Sequence, residues 1–342
     1  MDRKVVLKDP RDRNTTKRHL TGNDIRGKEV HFAVYSQMVS LDLTRMNLEA
    51  IEMLPETLEY LNLQNNNLKG LNVSNLFRLR VALLSDNNFD QLPFFKNCTA
   101  LLSLHLNSNK LTSLPFEWLP PQLHELQINN NKLKQLPDLT SLTGLEELRC
   151  DRNPIKVIMG LPSSLQWFSC MNNQLQSLTL SYSSQLRYLD VSDNASLREL
   201  IHLPASLEFL FLHNCIVPAL NLKHCSTLRY LGYTSKTMWP SLLLPDSLEH
   251  LEISQCHPFE IPANLKFVAV QDDSVGDTIT ESARSHVCEH SKIQKHILLQ
   301  PILNFNMECD PYTQEITSWK QDKKRKFTEY SESQTFHPFG TH

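Results

Sequence analysis

A solenoid of stacked repeats, α/β-type but mostly β, is predicted by three features of this chain. One apolar motif, LxxLxLxxNxL, recurs about twelve times, most clearly at Leu58–Leu68, Leu101–Leu111, Leu123–Leu133 and Leu186–Leu197. Its asparagine returns at Asn66, Asn87, Asn109, Asn131, Asn153, Asn173 and Asn194, a period of 20 to 22 residues. Proline stands three residues before the first leucine at Pro55, Pro162, Pro204, Pro245 and Pro262, which disfavours long helices between motifs.

Each part of the motif has a structural reading. The alternating leucines suit a short strand with one buried face. One strand per repeat, stacked in register, makes a parallel sheet with a continuous core behind it. No repeat buries its own face alone, so the stack is the stable unit. The asparagine sits where the strand ends, and its amide suits backbone groups that the turn leaves unpaired. The predicted fold is therefore a leucine-rich-repeat horseshoe with a parallel concave sheet and extended or 3₁₀ convex segments. The LPxxL form alternates with polar segments such as SNLFRL and KHCSTL, which suggests a super-repeat of roughly two units.

Three regions follow. Residues 1–37 are charged and expected to be irregular. Residues 38–275 carry the repeats, with Met46, Cys215, Lys236, Cys256 and Asp273 in the asparagine position of the outer copies. Residues 276–342 are a tail, with a cap helix expected where Ile279, Ala283, Val287, Ile293 and Ile297 form an apolar stripe that Pro301 ends. From about Trp319 the chain is polar and expected to be disordered.

Composition narrows the function. The formal net charge of −3 gives no global pull toward nucleic acid or membrane. No apolar run of about 18 residues is present, so no membrane span is expected. The charged start lacks the apolar core of a signal peptide. The eight cysteines form no close cluster at either end of the repeats, which favours a reducing, intracellular setting. Cys150 and Cys170 fall on inward positions and read as small apolar residues.

Residues between the leucines face away from the core. The residue before the second leucine is Tyr60 early in the array, then Trp167, Tyr188, Phe209, Tyr230, His250 and Phe267 in six successive repeats. Phe211 adds a ring two residues along. The preceding column mixes charge, with Arg187 and Arg229 among its cations. Neighbouring strands lie about 4.8 Å apart, so these rings and cations form a candidate protein-binding stripe. Cross-strand aromatic stacking is the structural alternative.

Catalytic patterns are missing: there is no Gly-rich phosphate loop, GxSxG, HExxH or CxxC. No enzyme activity, cofactor or metal is expected. His286, Cys288 and His290 give HxCxH, read as a polar helix face. Lys323–Lys326, KKRK, fits a nuclear address or a solvated charge run. Lys28, Val30 and Phe32 resemble a docking motif for protein phosphatase 1, or else form the edge of the first sheet.

The segments LPETLEYLNLQNNNLKGL, LPPQLHELQINNNKLKQLP and LPSSLQWFSCMNNQLQSL resemble the short-repeat bacterial effectors delivered into host cells. The resemblance covers residues 54–270. It implies a monomeric scaffold that binds host protein in the cytosol or nucleus. Some members of that family carry a ubiquitin-ligase domain with a CxD motif. Here Cys309 is followed directly by Asp310 and the tail is too short, so no ligase is implied. The alternative is an adaptor or regulatory subunit of a ubiquitin ligase or a phosphatase in a eukaryotic cell.

Overall fold

The computed structural model describes residues 5–6, 17–24, 26–35, 38–52, 54–235, 240–254, 259–260, 262–270 and 298–300. These fall into two compact units, one ending at Asn131 and the other beginning at Lys132. In each, short parallel strands one per repeat build an inner sheet, as the motif predicts.

In the first unit the inner strands are Ser40–Asp42, Tyr60–Asn62, Val81–Leu83, Ser103–His105 and Glu125–Gln127. They pair in parallel without a register slip, so Leu41, Leu61, Ala82, Leu104 and Leu126 form one row. In the second unit the strands are Glu147–Arg149, Trp167–Ser169, Tyr188–Asp190, Phe209–Phe211, Tyr230–Tyr233, His250–Ile253, Phe267–Val270 and Leu298–Gln300. Their central row runs Leu148, Phe168, Leu189, Leu210, Leu231, Leu251 and Val268. Both rows are buried. Each such side chain contributes about 2 kcal/mol of apolar burial, which no single repeat could supply against a partner of its own. Cys150 and Cys170 are fully buried beside these rows, as apolar fillers should be.

The prolines close turns. The carbonyls of Pro55, Pro162, Pro204, Pro245 and Pro262 accept the N–H of the leucine three residues on, at 3.2 to 3.3 Å. In four of these turns a hydroxyl ties the repeat to the one before it. Thr57, Ser164, Ser206 and Ser247 donate to the carbonyls of Met38, Leu145, Leu186 and Leu228.

Away from the inner sheet the chain stays extended. The one 3₁₀ turn among the described residues is Phe116–Trp118, and none of them is α-helical. No helix of the described residues is long and apolar enough to cross a membrane. In the second unit the outer segments form parallel strand pairs: Gln135–Asp138 with Val157–Gly160, Ser177–Thr179 with Glu199–Ile201, and Ala219–Asn221 with Ser241–Leu243. Pairing by twos gives the two-unit super-repeat a structural form.

The asparagines make the ladder that the motif implies. All seven are buried. Asn87 is representative: its Oδ1 accepts the N–H of Leu68 in the preceding repeat at 3.0 Å. Its Nδ2 donates to the carbonyl of Leu63 in that repeat at 2.9 Å and to Leu84 in its own at 3.1 Å. The residue before each ladder position has positive φ, at Asn65, Asp86, Ser108, Asn130, Arg152, Asn172, Asp193 and, before Cys215, Asn214. Asn and Asp tolerate that region best, so their excess in this column is a signal the motif reading left unused.

Before the repeats, the structure differs from the irregular segment read in the sequence. Lys17–Asp24 and Glu29–Tyr35 form an antiparallel hairpin, with Gly27 at φ 70° in its turn. The Lys17–Asp24 strand also pairs with Leu48–Ile51, the outer strand of the first repeat. The strand EVHFAVY carries no leucine, which hid it from a search for leucines. At the other end the cap helix expected over 279–297 lies outside the described residues. The residues just before Pro301, Leu298–Gln300, are not helical and pair in parallel with Phe267–Ala269.

Removing one rung should be costly. Asn87→Ala strands one N–H and two carbonyls in the core, so it should lower unfolding free energy by about 3 kcal/mol. Half-buried Asn67, beside the ladder, should change it by under about 0.5 kcal/mol when replaced by alanine. Urea unfolding of the two variants makes the comparison.

Candidate partner-binding face

The solvent side of the inner sheet carries two columns of side chains, from the first and third residues of each strand. Of the rings expected from the sequence, Phe211 alone lies in the third-residue column and the rest lie in the first. In the second unit that column brings the six predicted rings together. Trp167 stacks on Tyr188 with centroids 3.5 Å apart and planes 8° apart. Tyr188 lies 6.4 Å from Phe209, and Phe209 lies 6.5 Å from Tyr230. Tyr230 stacks on His250 at 4.4 Å, and His250 sits 4.3 Å from Phe267. Phe211, in the third-residue column, bridges Tyr188 at 5.4 Å and Tyr230 at 4.9 Å. Tyr60 is apart from this set. It is half-buried in the first unit beside Val81.

The rings are less open than their positions suggest. Trp167 is 3% exposed, Tyr230 and His250 4%, and Phe209 7%. Stacking across strands hides each ring behind its neighbours, so the structural alternative raised by the sequence holds for these four. Tyr188, Phe211 and Phe267 are half-buried, the most open rings of the set.

The charged column is largely self-paired. Arg187 meets Glu208 at 2.7 Å in a two-pronged contact. Glu249 takes both Arg229, at 3.5 Å, and Lys266, at 2.9 Å. In the first unit Arg80 lies 3.7 Å from Glu59. Exposed pairs of this kind contribute under about 1 kcal/mol each and serve mainly to keep like charges apart.

The two columns also hold polar groups that the sequence did not single out, Glu125 in the first column and Glu252 and Asp190 in the third. In the first unit Glu125 accepts hydrogen bonds from Ser103 at 2.8 Å and Gln127 at 2.6 Å, and lies 3.1 Å from His105 Nε2. Burial pushes its carboxyl up, but His105, Ser103 and Gln127 together outweigh it and hold the carboxyl down at about 2. In the second unit Glu252 lies among Tyr230, which donates to it, His213 at 3.6 Å and His250 at 3.6 Å. Burial raises its carboxyl too, and these three neighbours reverse the shift. Gly232 makes this cluster fit, because a Cβ there would stand 2.6 Å from His213 Nε2.

Asp190 is the exception. It is 7% exposed. Its Oδ1 accepts the Ser192 N–H at 3.0 Å, while Oδ2 has the Tyr188 hydroxyl at 3.4 Å. Burial pushes its carboxyl up to about 6; bonds from Ser192 oppose this, and the charge of Asp151 adds to it. Reading every second residue along each strand, rather than one column, would have found these groups.

Other sequence candidates fall elsewhere. Glu29–Tyr35, which holds Val30 and Phe32, is an inner strand with Val5–Val6 on one side and Lys17–Asp24 on the other. A docking peptide of this kind adds as a strand at a sheet edge, and here Phe32 and Ala33 already pair with Val5 and Val6. His286, Cys288, His290, Cys309 and the KKRK run lie outside the described residues. No group of three or more His, Cys, Asp or Glu among the described residues could hold a metal ion.

Asp190 sets a pH dependence. Its folded value of about 6 lies above its unfolded value of 3.8. The carboxyl is thus fully tolerated below pH 4, and stability is lost as pH rises through 6. Asp190→Asn should therefore raise stability at about pH 7.5, by on the order of 2 kcal/mol. The gain should vanish below about pH 4, and urea unfolding of both proteins across this pH range checks it.

No protein-family model and no curated protein sequence matches the chain. Solved structures do. The functional domain of InlJ from Listeria monocytogenes is 22% identical with a TM-score of 0.52, covering 70% of this chain and 48% of that one. The leucine-rich effector protein YopM from Yersinia pestis is 29% identical with a TM-score of 0.50, covering 63% of this chain and 67% of that one. The leucine-rich repeat domain of APL1B is 20% identical with a TM-score of 0.54, covering 77% and 94%. The chain spans about half the length of the InlJ domain. The strand register, the asparagine ladder and these likenesses show that the chain has the leucine-rich-repeat fold.

Proposed function

We propose that this protein is a non-enzymatic scaffold that holds a protein partner on the open face of the inner sheet of its second unit. One observation carries the reading: an unbroken row of rings from Trp167 to Phe267 whose accessible members, Tyr188, Phe211 and Phe267, stand among paired charges. Half-buried rings inside a polar surround are the anatomy of an interaction hot spot, and partners of solenoids commonly bind this face. The buried members, Trp167, Phe209, Tyr230 and His250, hold the accessible ones in place. Arg187 and Arg229 form the rim. Tyr60 adds a contact on the first unit. The likeness to the Yersinia pestis effector supports a bacterial protein delivered into a host cell, with a host protein as partner.

The test avoids the buried rings. Alanine at Trp167 would empty the core of the stack and lower stability by about 3 kcal/mol or more, which confounds any loss of binding. Tyr188→Ala with Phe211→Ala removes accessible rings instead. Affinity capture from eukaryotic cell lysate, read by mass spectrometry, should show a partner retained by the native chain and reduced roughly tenfold or more by this pair. Phe77→Ala, at a site 53% exposed, should retain the partner. Equal retention by the native chain and the Tyr188/Phe211 pair would remove the assignment.

A further inference from the structure

Asp190 stands on the aromatic face with no counter-ion among the described residues. Arg187, Arg229 and Lys266 are held by Glu208 and Glu249. Arg149 is held by Glu147, whose Oε1 accepts Nε at 2.6 Å. Glu252 has two histidines and a tyrosine. Asp190 has no ion pair among the described residues, although it is over nine-tenths buried. Its neighbours on this face are Tyr188, two residues before it, Phe211 and Ser169, directly across the two strand pairs, and the Asp151 carboxylate, which accepts from Ser169. The two rings are 5.4 Å apart and half-buried.

The chain supplies the missing chemistry to itself two strands earlier. The Arg149 guanidinium lies 5.5 Å from the centre of the Trp167 ring while its nitrogens engage the Glu147 carboxylate. A flat cation against a ring, closed by a carboxylate, is a complete unit there. At Tyr188, Phe211 and Asp190 the ring and the carboxylate recur and the cation does not.

We infer that Asp190, framed by Tyr188 and Phe211, is the pocket for an arginine side chain of the protein partner. This rests on the open sheet face being the binding surface and specifies what that surface reads. Guanidinium suits the site better than ammonium. It is planar, so it lies flat on a ring, and it sheds water more readily on entering a nearly closed site. It also donates to both oxygens of a carboxylate, and Oδ2 of Asp190 has only a long contact to Tyr188. The raised carboxyl of Asp190 accords with this, because burial is its leading cause and the nearby Asp151 charge adds to it.

The test uses the full chain and two libraries of short random peptides, one with a fixed central arginine and one with citrulline there. Citrulline keeps the shape and removes the charge. The native chain should enrich the arginine library roughly tenfold or more over the citrulline library. Asp190→Asn, which keeps the acceptor for Ser192, should abolish that preference with no loss of thermal stability. Equal recovery of both libraries, recovery of neither, or a preference that survives Asp190→Asn would overturn the arginine pocket. The open-face reading is judged separately by Tyr188→Ala with Phe211→Ala. If this pair loses peptides that the native chain binds without an arginine preference, the face stands and the pocket falls. If it loses nothing, the face falls as well.

Discussion

Seven successive repeats depend on one hydrogen-bonded arrangement, the buried asparagine at the end of the strand. Ending a strand after three residues leaves backbone groups facing the core, where water cannot reach them. An unpaired buried group costs about 1 to 3 kcal/mol, and each repeat would strand several. The carboxamide answers with one acceptor and two donors in a single small side chain, and it reaches the preceding repeat as well as its own. The ladder is thus a bond between repeats as much as a turn device. Where Cys215 takes the asparagine position, its sulfur still contacts the Val191 carbonyl at 3.3 Å, a weaker form of the same tie.

The strict register that follows governs the surface. Because the strands never slip, the first and third residues of successive strands stay in file. Chemistry in a file is shared: rings stack, and charges alternate into pairs. The same register that builds an aromatic row also buries it, since each ring lies against the ring of the next strand. What remains accessible is set by small departures from uniformity. Phe211 projects between the rings of the first column, and Gly232 lets His213 lie across the sheet.

The fold was legible because leucine at fixed spacing has one economical use, burial on one side of a stacked strand. The position of the rings was legible for the same reason. Their burial was not. No single residue's identity shows that Trp167 is closed in by Tyr188 on one side and Arg149 on the other, because that depends on side-chain directions in three different repeats. Asp190 was hidden more simply: aspartate two residues after a tyrosine is unremarked in a polar strand face until its lack of a cation is seen. The hairpin at Lys17–Tyr35 escaped because it shares neither the spacing nor the leucines of the repeats.

The paired outer strands of the second unit have a consequence for how such a chain grows. Gln135, Ser177 and Ala219 open successive pairs, each 42 residues after the last. A single repeat of about 21 residues is therefore complete on the inner sheet and half of something on the outer side. Losing one would leave an outer strand with no companion and expose its backbone, whereas losing two would restore both sides. The inner sheet counts in ones and the outer layer counts in twos, so lineages of this protein should change length by whole pairs.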